Sequence, residues 1–227
     1  MDIQDRTVVV TGGAGGLGAA VVAALRKAGA RPVALDMRPA DGDHEVVDLA
    51  DSAAAAAAVE RVRDARGGID AVVTCAGIDH PGPLDGVLTD AWERVVAVNL
   101  LGTAAVIRAA LPSLIERGGH VVTVASTLGH RALPHATAYC ASKFGVVGFT
   151  RALTAELAGK VGVTLLTPGG MQTGFFDGRD EEYRPGPDAE LADPEHVAAA
   201  VVGALTMPAG AEVRELVVMA PTEASWP

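Results

Sequence analysis

The sequence has few aromatic residues, few cysteines and no clustered positive charge. Aromatics make up 4% of the 227 residues, and Cys75 and Cys140 are too few and too far apart to indicate a zinc site or a disulfide framework. The 18 Lys and Arg residues form no run and are outnumbered by 28 Asp and Glu residues. We therefore expect reduced core thiols, no metal site, and no nucleic-acid or anionic-membrane partner.

Signals for secretion and membrane insertion are missing as well. The N-terminus shows no charged-then-apolar segment, and no uninterrupted apolar run reaches the ~18 residues of a membrane span. We therefore expect a cytoplasmic protein. Hydrophobic residues still make up 49% of the chain, and Ala, Val and Leu dominate them. A chain of this length can bury the core of one α/β domain.

Short β-branched segments alternate with Ala-rich helical segments along the whole chain, without a linker. Strands are predicted at residues 7–11, 31–36, 44–48, 69–74, 119–125, 161–167 and 215–219. Helices are predicted at about 17–28, 51–66, 90–98, 101–117, 136–158 and 194–205, with Asp90 and Asp193 as N-caps. This order predicts a single α/β domain over residues 1–227, built on a doubly wound parallel sheet with helices on both faces. Residues 174–193 are polar and predict a short lid.

The first predicted strand leads into a glycine cluster and then a helix. The cluster consists of Gly12, Gly13, Gly15, Gly16 and Gly18. In this arrangement backbone N–H groups and the positive helix end point at a phosphate, and small residues let the chain approach it closely. The turn therefore predicts a pyrophosphate site, with a plain tight βα turn as the alternative.

Asp36 closes the second strand, about 20 residues beyond the glycines. In a dinucleotide-binding fold, an acid at this place hydrogen-bonds the adenosine ribose hydroxyls, and it would repel a 2′-phosphate. Met37 stands where a basic residue would receive that phosphate, and Arg38 is a displaced substitute. The pattern favours NAD over NADP; the alternative is an exposed Asp that only ends a strand.

Tyr139 and Lys143 are four residues apart on a predicted helix, so both lie on one face. A nearby ammonium is expected to lower the tyrosine pKa from its usual value near ~10. Ser126, at the end of the fifth strand, could hold a substrate oxygen. The Tyr/Lys spacing alone is common on surface helices. The glycine cluster, Asp36, Ser126 and residues 76–77 and 168–169 all follow strands, so they should share the sheet edge where α/β proteins bind ligands.

In this order and spacing, the motifs resemble those of the short-chain dehydrogenase/reductase family over essentially the whole chain. TGGAGGLG at residues 11–18 is similar to the TGxxxGxG turn, and Tyr139 with Lys143 to the YxxxK pair. Asn99 in VNLLG and Ser126 are similar to the catalytic asparagine and serine, and PGGMQT at 168–173 to the PGxxxT segment. One departure is visible: the NNAG motif reads TCAG at 74–77, which keeps the Ala-Gly but loses an asparagine that braces neighbouring strands.

The resemblance implies a Rossmann-type fold and a role for each matching residue. Tyr139 would exchange a proton with the substrate oxygen, and Lys143 would lower the Tyr139 pKa and bind the nicotinamide ribose. Ser126 would hold the substrate oxygen, and Asn99 would position a water that links Lys143 to solvent. Asp48 and Leu49 would border the adenine and Thr173 the carboxamide. The implied cofactor contacts are Gly12, Gly15, Gly16, Leu17, Gly18, Asp36, Met37, Asp48, Leu49, Ala76, Gly77, Tyr139, Lys143, Pro168, Gly169, Met171 and Thr173.

The resulting hypothesis is an NAD-dependent oxidoreductase that moves hydride between nicotinamide and a secondary alcohol or ketone. The alternatives are an NADPH-dependent reductase of 3-oxoacyl thioesters carried by acyl carrier protein, and an NAD-binding redox sensor without turnover. A sugar epimerase or dehydratase shares the Tyr/Lys pair but resembles longer chains. Family members often form homodimers or homotetramers through the helices at 101–117 and 136–158.

The substrate is not predicted by the sequence. Candidate pocket residues are His80, Thr127, Leu128, His130, His135, Gly170, Met171, Phe175 and Phe176. The lid also carries charges that are expected to be solvated, namely Asp177, Arg179, Asp180, Glu181, Glu182 and Arg184. The tail at 221–227, with Trp226, is expected either to dock on a neighbouring chain or to stay loose.

Overall fold

A computed structural model describes residues 1–226, and its strands form one parallel sheet. The strand order is β3-β2-β1-β4-β5-β6-β7. The strands are β1 (Thr7–Thr11), β2 (Arg31–Asp36), β3 (His44–Val46), β4 (Ala71–Thr74), β5 (His120–Val124), β6 (Gly162–Pro168) and β7 (Glu215–Val218). The order reverses between β1 and β4. In open α/β sheets, ligands bind in the crevice outside the carboxyl ends of the strands at such a switch point.

The central strands are short and rich in valine because they are buried on both faces. Every residue of β1, TVVVT, and of β5, HVVTV, is buried. In register, Val9 lies between Val33 of β2 and Val72 of β4. β-Branched side chains pack well on a pleated surface, and parallel sheets covered on both sides select such runs.

Helices cover both faces of the sheet, as the sequence predicts. They are α1 (Gly16–Lys27), α2 (Ser52–Arg66), α3 (Thr89–Val96), α4 (Thr103–Arg117), α5 (Thr137–Glu156) and α6 (Pro194–Leu205). One core joins Leu25 of α1 and Val201 of α6 to the sheet. The other joins Val59 of α2, Leu114 of α4 and Leu153 of α5 to the opposite face. The doubly wound α/β class is therefore confirmed.

The predicted N-cap is correct for α6, at Asp193, and wrong for α3, at Asp90. The Asp193 carboxylate accepts a hydrogen bond from the Glu195 N–H at 2.8 Å, with Pro194 in the first turn, so it caps α6 as expected. Asp90, by contrast, lies inside the first turn of α3. The N-cap position is Leu88, which has no capping side chain. The N-cap of α3 lies two residues earlier than predicted, so Asp90 in the first turn only complements the helix dipole.

Asn99 does not interrupt the helical segment, which corrects the predicted break. α3 continues through a π-helical stretch, Ala97–Gly102, directly into α4. Such bulges insert a residue into the helical ladder and often occur at functional sites. The stretch turns the Asn99 side chain, which is 1% exposed, into the protein interior.

The combined segment Thr89–Arg117 is long and apolar enough, by length and composition alone, to cross a membrane. This criterion does not contradict the expectation that no apolar run reaches ~18 residues, because Asn99 and Arg108 interrupt the segment. Core helices meet it too, and 44% of the most apolar window is buried. Val106, Ile107 and Leu114 form part of the core beneath the sheet. The segment thus packs in this fold as a core helix.

Residues 223–226 of the tail pack against their own chain. The Trp226 ring meets the His130 ring edge-on, with 5.4 Å between centroids. The Ser225 and Thr127 hydroxyls are hydrogen-bonded at 2.7 Å. The Glu223 carboxylate accepts a hydrogen bond from the Gly170 N–H at 2.8 Å. The tail therefore forms one wall of the space above β6.

Candidate active site

A single large cleft of about 1430 Å³ opens at the carboxyl edge of the sheet. Every residue predicted to contact a cofactor lines it, from Gly12 at one end to Thr173 at the other. Ser126 lines it too, whereas Asn99 lies behind its wall. Ligand pockets for drug-sized molecules measure ~300–1,000 Å³, so this cleft has room for a dinucleotide and a small substrate together. Within residues 1–226, no group of three His, Cys, Asp or Glu side chains is arranged to hold a metal.

The glycine turn is built so closely that side chains would not fit. A Cβ on Gly18 would lie 2.1 Å from the Gly12 carbonyl oxygen, and one on Gly12 would lie 2.9 Å from the Ala76 Cα. Gly12 also has a φ of +70°, which favours glycine. Gly15 is the N-cap of α1 and offers no capping side chain, and the first turn contains no acid. The N–H groups of that turn therefore suit an anion such as a pyrophosphate.

Asp36 is held in place in the cleft beside the glycine turn. Its two carboxylate oxygens accept hydrogen bonds from the N–H groups of Ala14 and Arg38, each at 3.0 Å. The side chain is 14% exposed, so the alternative of an exposed strand-ending Asp is wrong. The Arg38 guanidinium lies 3.0 Å from where a Gly15 Cβ would be. An acid and a cation thus stand side by side where a ribose would bind.

Arg94 of α3 is a cleft residue that the sequence did not reveal. Its guanidinium forms an ion pair with Asp48 at 3.0 Å and lies 3.4 Å from the Met37 sulfur. The Ala50 N–H and then Arg94 hold the pKa of Asp48 below its usual value. No motif or periodicity marks Arg94, because its position follows from the docking of α3 against the end of β3.

Tyr139, Ser126 and Lys143 are brought together at the middle of the cleft. The Ser126 hydroxyl, which faces the same cleft, accepts a hydrogen bond from the Leu128 N–H at 3.2 Å. The Lys143 ammonium donates to the Val124 carbonyl at 2.9 Å and lies 5.6 Å from the centre of the Tyr139 ring. Tyr139 is 8% exposed and Lys143 3%. Tyr139 and Lys143, which are four residues apart on the helix, therefore lie in the protein interior and not on its surface.

The protonation of this group differs from the expectation. Burial raises the pKa of Tyr139 to about 12, while the Ser126 hydroxyl acts to lower it and the Asp79 carboxylate to raise it. Burial also lowers the pKa of Lys143 to about 8. The prediction that Lys143 lowers the tyrosine pKa is wrong for the chain by itself, because desolvation dominates and the ammonium points at Val124. In this state Tyr139 holds its proton and can donate it.

Asn99 connects the loop after β4 to α5. Its side-chain oxygen accepts from the Ile78 N–H at 2.8 Å, and its amide donates to the Ile78 carbonyl and the Ser142 hydroxyl at 2.9 and 3.0 Å. These hydrogen bonds engage both the oxygen and the amide group of the Asn99 side chain with other protein groups. They fix the loop that carries Ala76 and Gly77 against the helix that carries Tyr139.

The TCAG departure has a visible structural consequence. The Thr74 hydroxyl is buried and has no hydrogen-bond partner among residues 1–226. The Thr11 hydroxyl instead receives the Ala76 N–H at 3.0 Å and links β1 to the loop after β4. Cys75 and Cys140 are both free thiols. Burial raises the pKa of the Cys75 thiol to about 12, so it is unreactive.

Of the candidate substrate-pocket residues, His80 and His130 do not line the cleft, whereas His135 and the others do. Asp180 and Glu181 also lie outside it. The lid bridges back to the sheet edge through Met171 and Ala192. His135 meets Tyr183 of the lid edge-on, with a hydrogen bond at 3.1 Å between the hydroxyl and Nδ1.

One lid charge is buried, which corrects the expectation of a solvated loop. Arg179 forms an ion pair with Asp79 at 3.3 Å, and the two side chains are 11% and 5% exposed. The guanidinium stacks over Phe175 and Phe176, at 4.5 and 4.9 Å from their centres. Phe175 in turn lies 5.6 Å from the Tyr139 ring. Asp79 follows Gly77 by two residues, but its partner is 100 positions away, so the sequence does not reveal the pair.

This fold and this site together define a dinucleotide-binding oxidoreductase of the Rossmann type. Residues 6–184 match the short chain dehydrogenase family. The chain belongs to that family.

The chain is similar to named relatives and to a solved structure. It is 39% identical over 167 residues to 17-beta-hydroxysteroid dehydrogenase 13 of Rattus norvegicus, covering 71% of this chain and 54% of that protein. It is 33% identical over 223 residues to D-threitol dehydrogenase of Mycolicibacterium smegmatis, covering 88% of this chain and 85% of that protein. The structure of alcohol dehydrogenase from Thermococcus sibiricus, complexed with 5-hydroxy-NADP, has a TM-score of 0.84 at 23% identity and covers 96% of this chain and 97% of that one. The chain thus spans about half the length of the first of these relatives and most of the others.

Proposed function

We propose that this chain is an NAD-dependent oxidoreductase that transfers hydride between nicotinamide and a secondary alcohol or ketone, with Tyr139 as general acid/base. The observation that carries the proposal is that the buried Tyr139 and Lys143 and the half-buried Ser126 line one cleft, which begins at the glycine turn. The relatives named above are dehydrogenases, which supports the reaction class. They differ in the substrate that their names give, so they leave the substrate open.

The residues of the cleft fit a dinucleotide along its whole length. The free N–H groups at the start of α1 would bind the pyrophosphate, and Asp36 would accept hydrogen bonds from the adenosine ribose. Ala76 and Gly77 would lie against the cofactor, and Thr173 would bind its carboxamide. When bound, NAD supplies the hydride acceptor of the reaction.

The protein side of the reaction is proton transfer at the substrate oxygen. In reduction, Tyr139 gives its proton to the carbonyl oxygen, and in oxidation its deprotonated form takes the hydroxyl proton. Ser126, which lines the same cleft, would hold that oxygen within reach of Tyr139. Lys143 has a pKa of about 8, so its proton can be exchanged near neutral pH. A positioned proton donor contributes typically ~10²–10⁴-fold to the rate.

The preference for NAD over NADP rests on Asp36, because a 2′-phosphate beside this carboxylate would meet like charge. The runner-up, an NADPH-dependent reductase of 3-oxoacyl thioesters, is supported by one observation, the Arg38 guanidinium beside Gly15. A redox sensor without turnover is disfavoured, because Asn99, Ser126, Tyr139 and Lys143 are all retained.

The experiment is a screen of secondary alcohols with NAD and NADP, and of ketones with NADH and NADPH, that follows the absorbance of the reduced cofactor. We expect turnover with NAD at least ~10-fold more efficient than with NADP, since repulsion or loss of one charged hydrogen bond is worth about that factor. Asp36→Asn should reduce this ratio, while the similar Asp180→Asn, on the exposed lid, should not. A clear NADP preference would overturn the role of Asp36.

Oligomer state and location remain proposals. Leu101 and Phe144, on the segments α3–α4 and α5, are about half exposed at 51% and 45%. Apolar side chains on this face support a homodimer, or a homotetramer built from it, as the family resemblance implies. Sedimentation that shows only a monomer would contradict it. Residence in the cytoplasm stays a prediction from the sequence.

A further inference from the structure

The buried ion pair of Asp79 and Arg179 lies in the substrate half of the cleft. Both residues line that cleft, and Arg179 reaches Tyr139 through one ring, Phe175. The two charges also act on the pKa of Tyr139, the carboxylate raising it and the guanidinium lowering it. A substrate held by Tyr139 that extends into this half of the cleft would therefore meet the pair.

Each partner keeps hydrogen-bonding capacity that the protein does not use. Asp79 accepts from the His80 N–H at 2.8 Å through one oxygen and faces Arg179 with the other. The Arg179 Nη2 is buried and, although 3.3 Å from Asp79, has no aligned hydrogen-bond partner among the described residues. A pair that served only to pin the lid would be expected to satisfy that donor, because an unmade buried hydrogen bond is costly.

The charges around the pair indicate what kind of group would complete it. Asp79 already neutralises Arg179, so an added carboxylate or phosphate would face excess negative charge. The cleft wall beyond the pair is acidic as well, with one guanidinium, Arg184, among five acids: Asp177, Glu182, Asp188, Glu190 and Glu223. A neutral hydroxyl suits the pair best, because it can donate to Asp79 and accept from Arg179 at once.

We propose that Asp79 and Arg179 recognise a second hydroxyl of the substrate, which makes the substrate class a neutral polyol and its hydroxyketone. This inference rests on the proposed oxidoreductase function and names the substrate class of the same site. The pair specifies substrate and takes no part in proton transfer. Phe175 and Phe176 hold the guanidinium by stacking and cover the carbon chain of the substrate.

The test compares substrates that differ only in hydroxyl count or charge: butan-2-ol, butane-2,3-diol, a four-carbon tetritol and the anion 3-hydroxybutyrate. For the wild-type enzyme with NAD, we expect kcat/KM for the better of the two polyols to exceed that for butan-2-ol by about 10–100-fold, the value of hydrogen bonds to charged groups. The factor stays moderate because Asp79 and Arg179 keep each other as partners when the hydroxyl is missing. The anion should be the poorest substrate.

Two variants separate recognition from folding. The double variant Asp79→Leu/Arg179→Met replaces the pair by apolar groups, a change that proteins often tolerate better than loss of one partner. It should lose the polyol preference while the Kd for NAD stays within about two-fold, since the glycine turn is untouched. Asp180→Asn, outside the cleft, should keep the preference. If the double variant fails to fold, the wild-type substrate series alone decides.

The outcomes keep this inference apart from the proposed function. Equal kcat/KM for butan-2-ol and the polyols would overturn it and leave the oxidoreductase function standing. Preference for 3-hydroxybutyrate would overturn it in favour of carboxylate capture by Arg179, and a preference kept by the double variant would also contradict it. Absence of turnover with every alcohol and with the corresponding ketones would overturn both proposals.

Discussion

The two ends of the cleft are built in different ways. The proposed cofactor end is built largely from backbone, namely a glycine turn, the first turn of α1 and the ends of strands β1, β2 and β4, with Asp36 as its main side chain. The proposed substrate end consists of side chains, above all the pair Asp79 and Arg179 with the rings of Phe175 and Phe176. A cofactor common to many enzymes can be bound by backbone geometry, whereas a particular substrate is selected by side chains on loops.

The difference also explains how each end responds to mutation. At the cofactor end, a single added methyl group would collide with backbone, which moves only if the helix moves. At the substrate end, side chains can be exchanged while the scaffold remains. Substitutions at the cofactor end should therefore change both stability and cofactor affinity. Substitutions at the substrate end should alter substrate preference.

Of the changes that separate the two ends, Gly18→Ala is expected to have the largest effect, because its Cβ would lie 2.1 Å from the Gly12 carbonyl oxygen. Relief requires α1 to shift away from the turn. We expect the free energy of unfolding in urea to fall by about 3 kcal/mol. We also expect the Kd for NAD, measured by calorimetry, to rise by about 100-fold, equivalent to ~3 kcal/mol of lost binding.

Gly203→Ala is the matched control for this prediction. Gly203 lies in the exposed part of α6 with nothing within 4 Å of an added Cβ. Alanine there should raise the free energy of unfolding by about 0.5–1 kcal/mol, the difference in helix propensity, and leave NAD binding unchanged. Equal behaviour of the two variants would contradict the close-packed turn.

A smaller effect is expected from pH at the substrate end. Burial raises the pKa of Asp79 above 3.8, against the charges of Arg179 and His80, which lower it. As the pH falls through this raised pKa, the carboxylate is protonated and the polyol preference should shrink by about 10-fold. The ratio of kcat/KM for polyol and butan-2-ol measures this, because pH effects common to both substrates cancel.

Loss of folding stability at low pH would be a different cause of a lost polyol preference, and the raised pKa of Asp79 excludes it for this residue. A carboxyl whose pKa is raised on folding binds its proton more tightly in the folded chain, so its contribution to stability rises as the pH falls. Unfolding through Asp79 therefore cannot explain a lost preference. Asp79→Asn should show a ratio that does not change with pH, and a wild-type ratio that is equally flat would refute the role of the carboxylate.

Most of the fold could be predicted from the sequence because its signals are local. The valine runs of β1, β4 and β5 and the alanine-rich α2 identify buried strands and a packed helix directly. The start of α3 and the π-helical stretch around Asn99 could not be predicted. Both depend on where α3 docks and on the contacts of Asn99 with Ile78 and Ser142, which are long-range.

The candidate site likewise contains residues that local sequence signals predict and residues that they do not. Residues 12–18, Tyr139 and Lys143 are marked by short spacing, and the structure places them in one cleft. The ionisation of Tyr139 was predicted in the wrong direction, because spacing shows a neighbouring charge and not the extent of burial. The Asp79–Arg179 pair joins a loop after β4 to the lid, and no local pattern connects two residues 100 positions apart.

The most direct test of the proton-transfer role is Tyr139→Phe, which removes one hydroxyl from the group formed with Ser126 and Lys143. The measurement is the rate of NADH formation from a secondary alcohol, together with the Kd for NAD from calorimetry. We predict that kcat falls by at least ~10²–10⁴-fold while the Kd for NAD stays within about two-fold. Wild-type turnover in the variant would contradict the assignment of Tyr139 as the general acid/base.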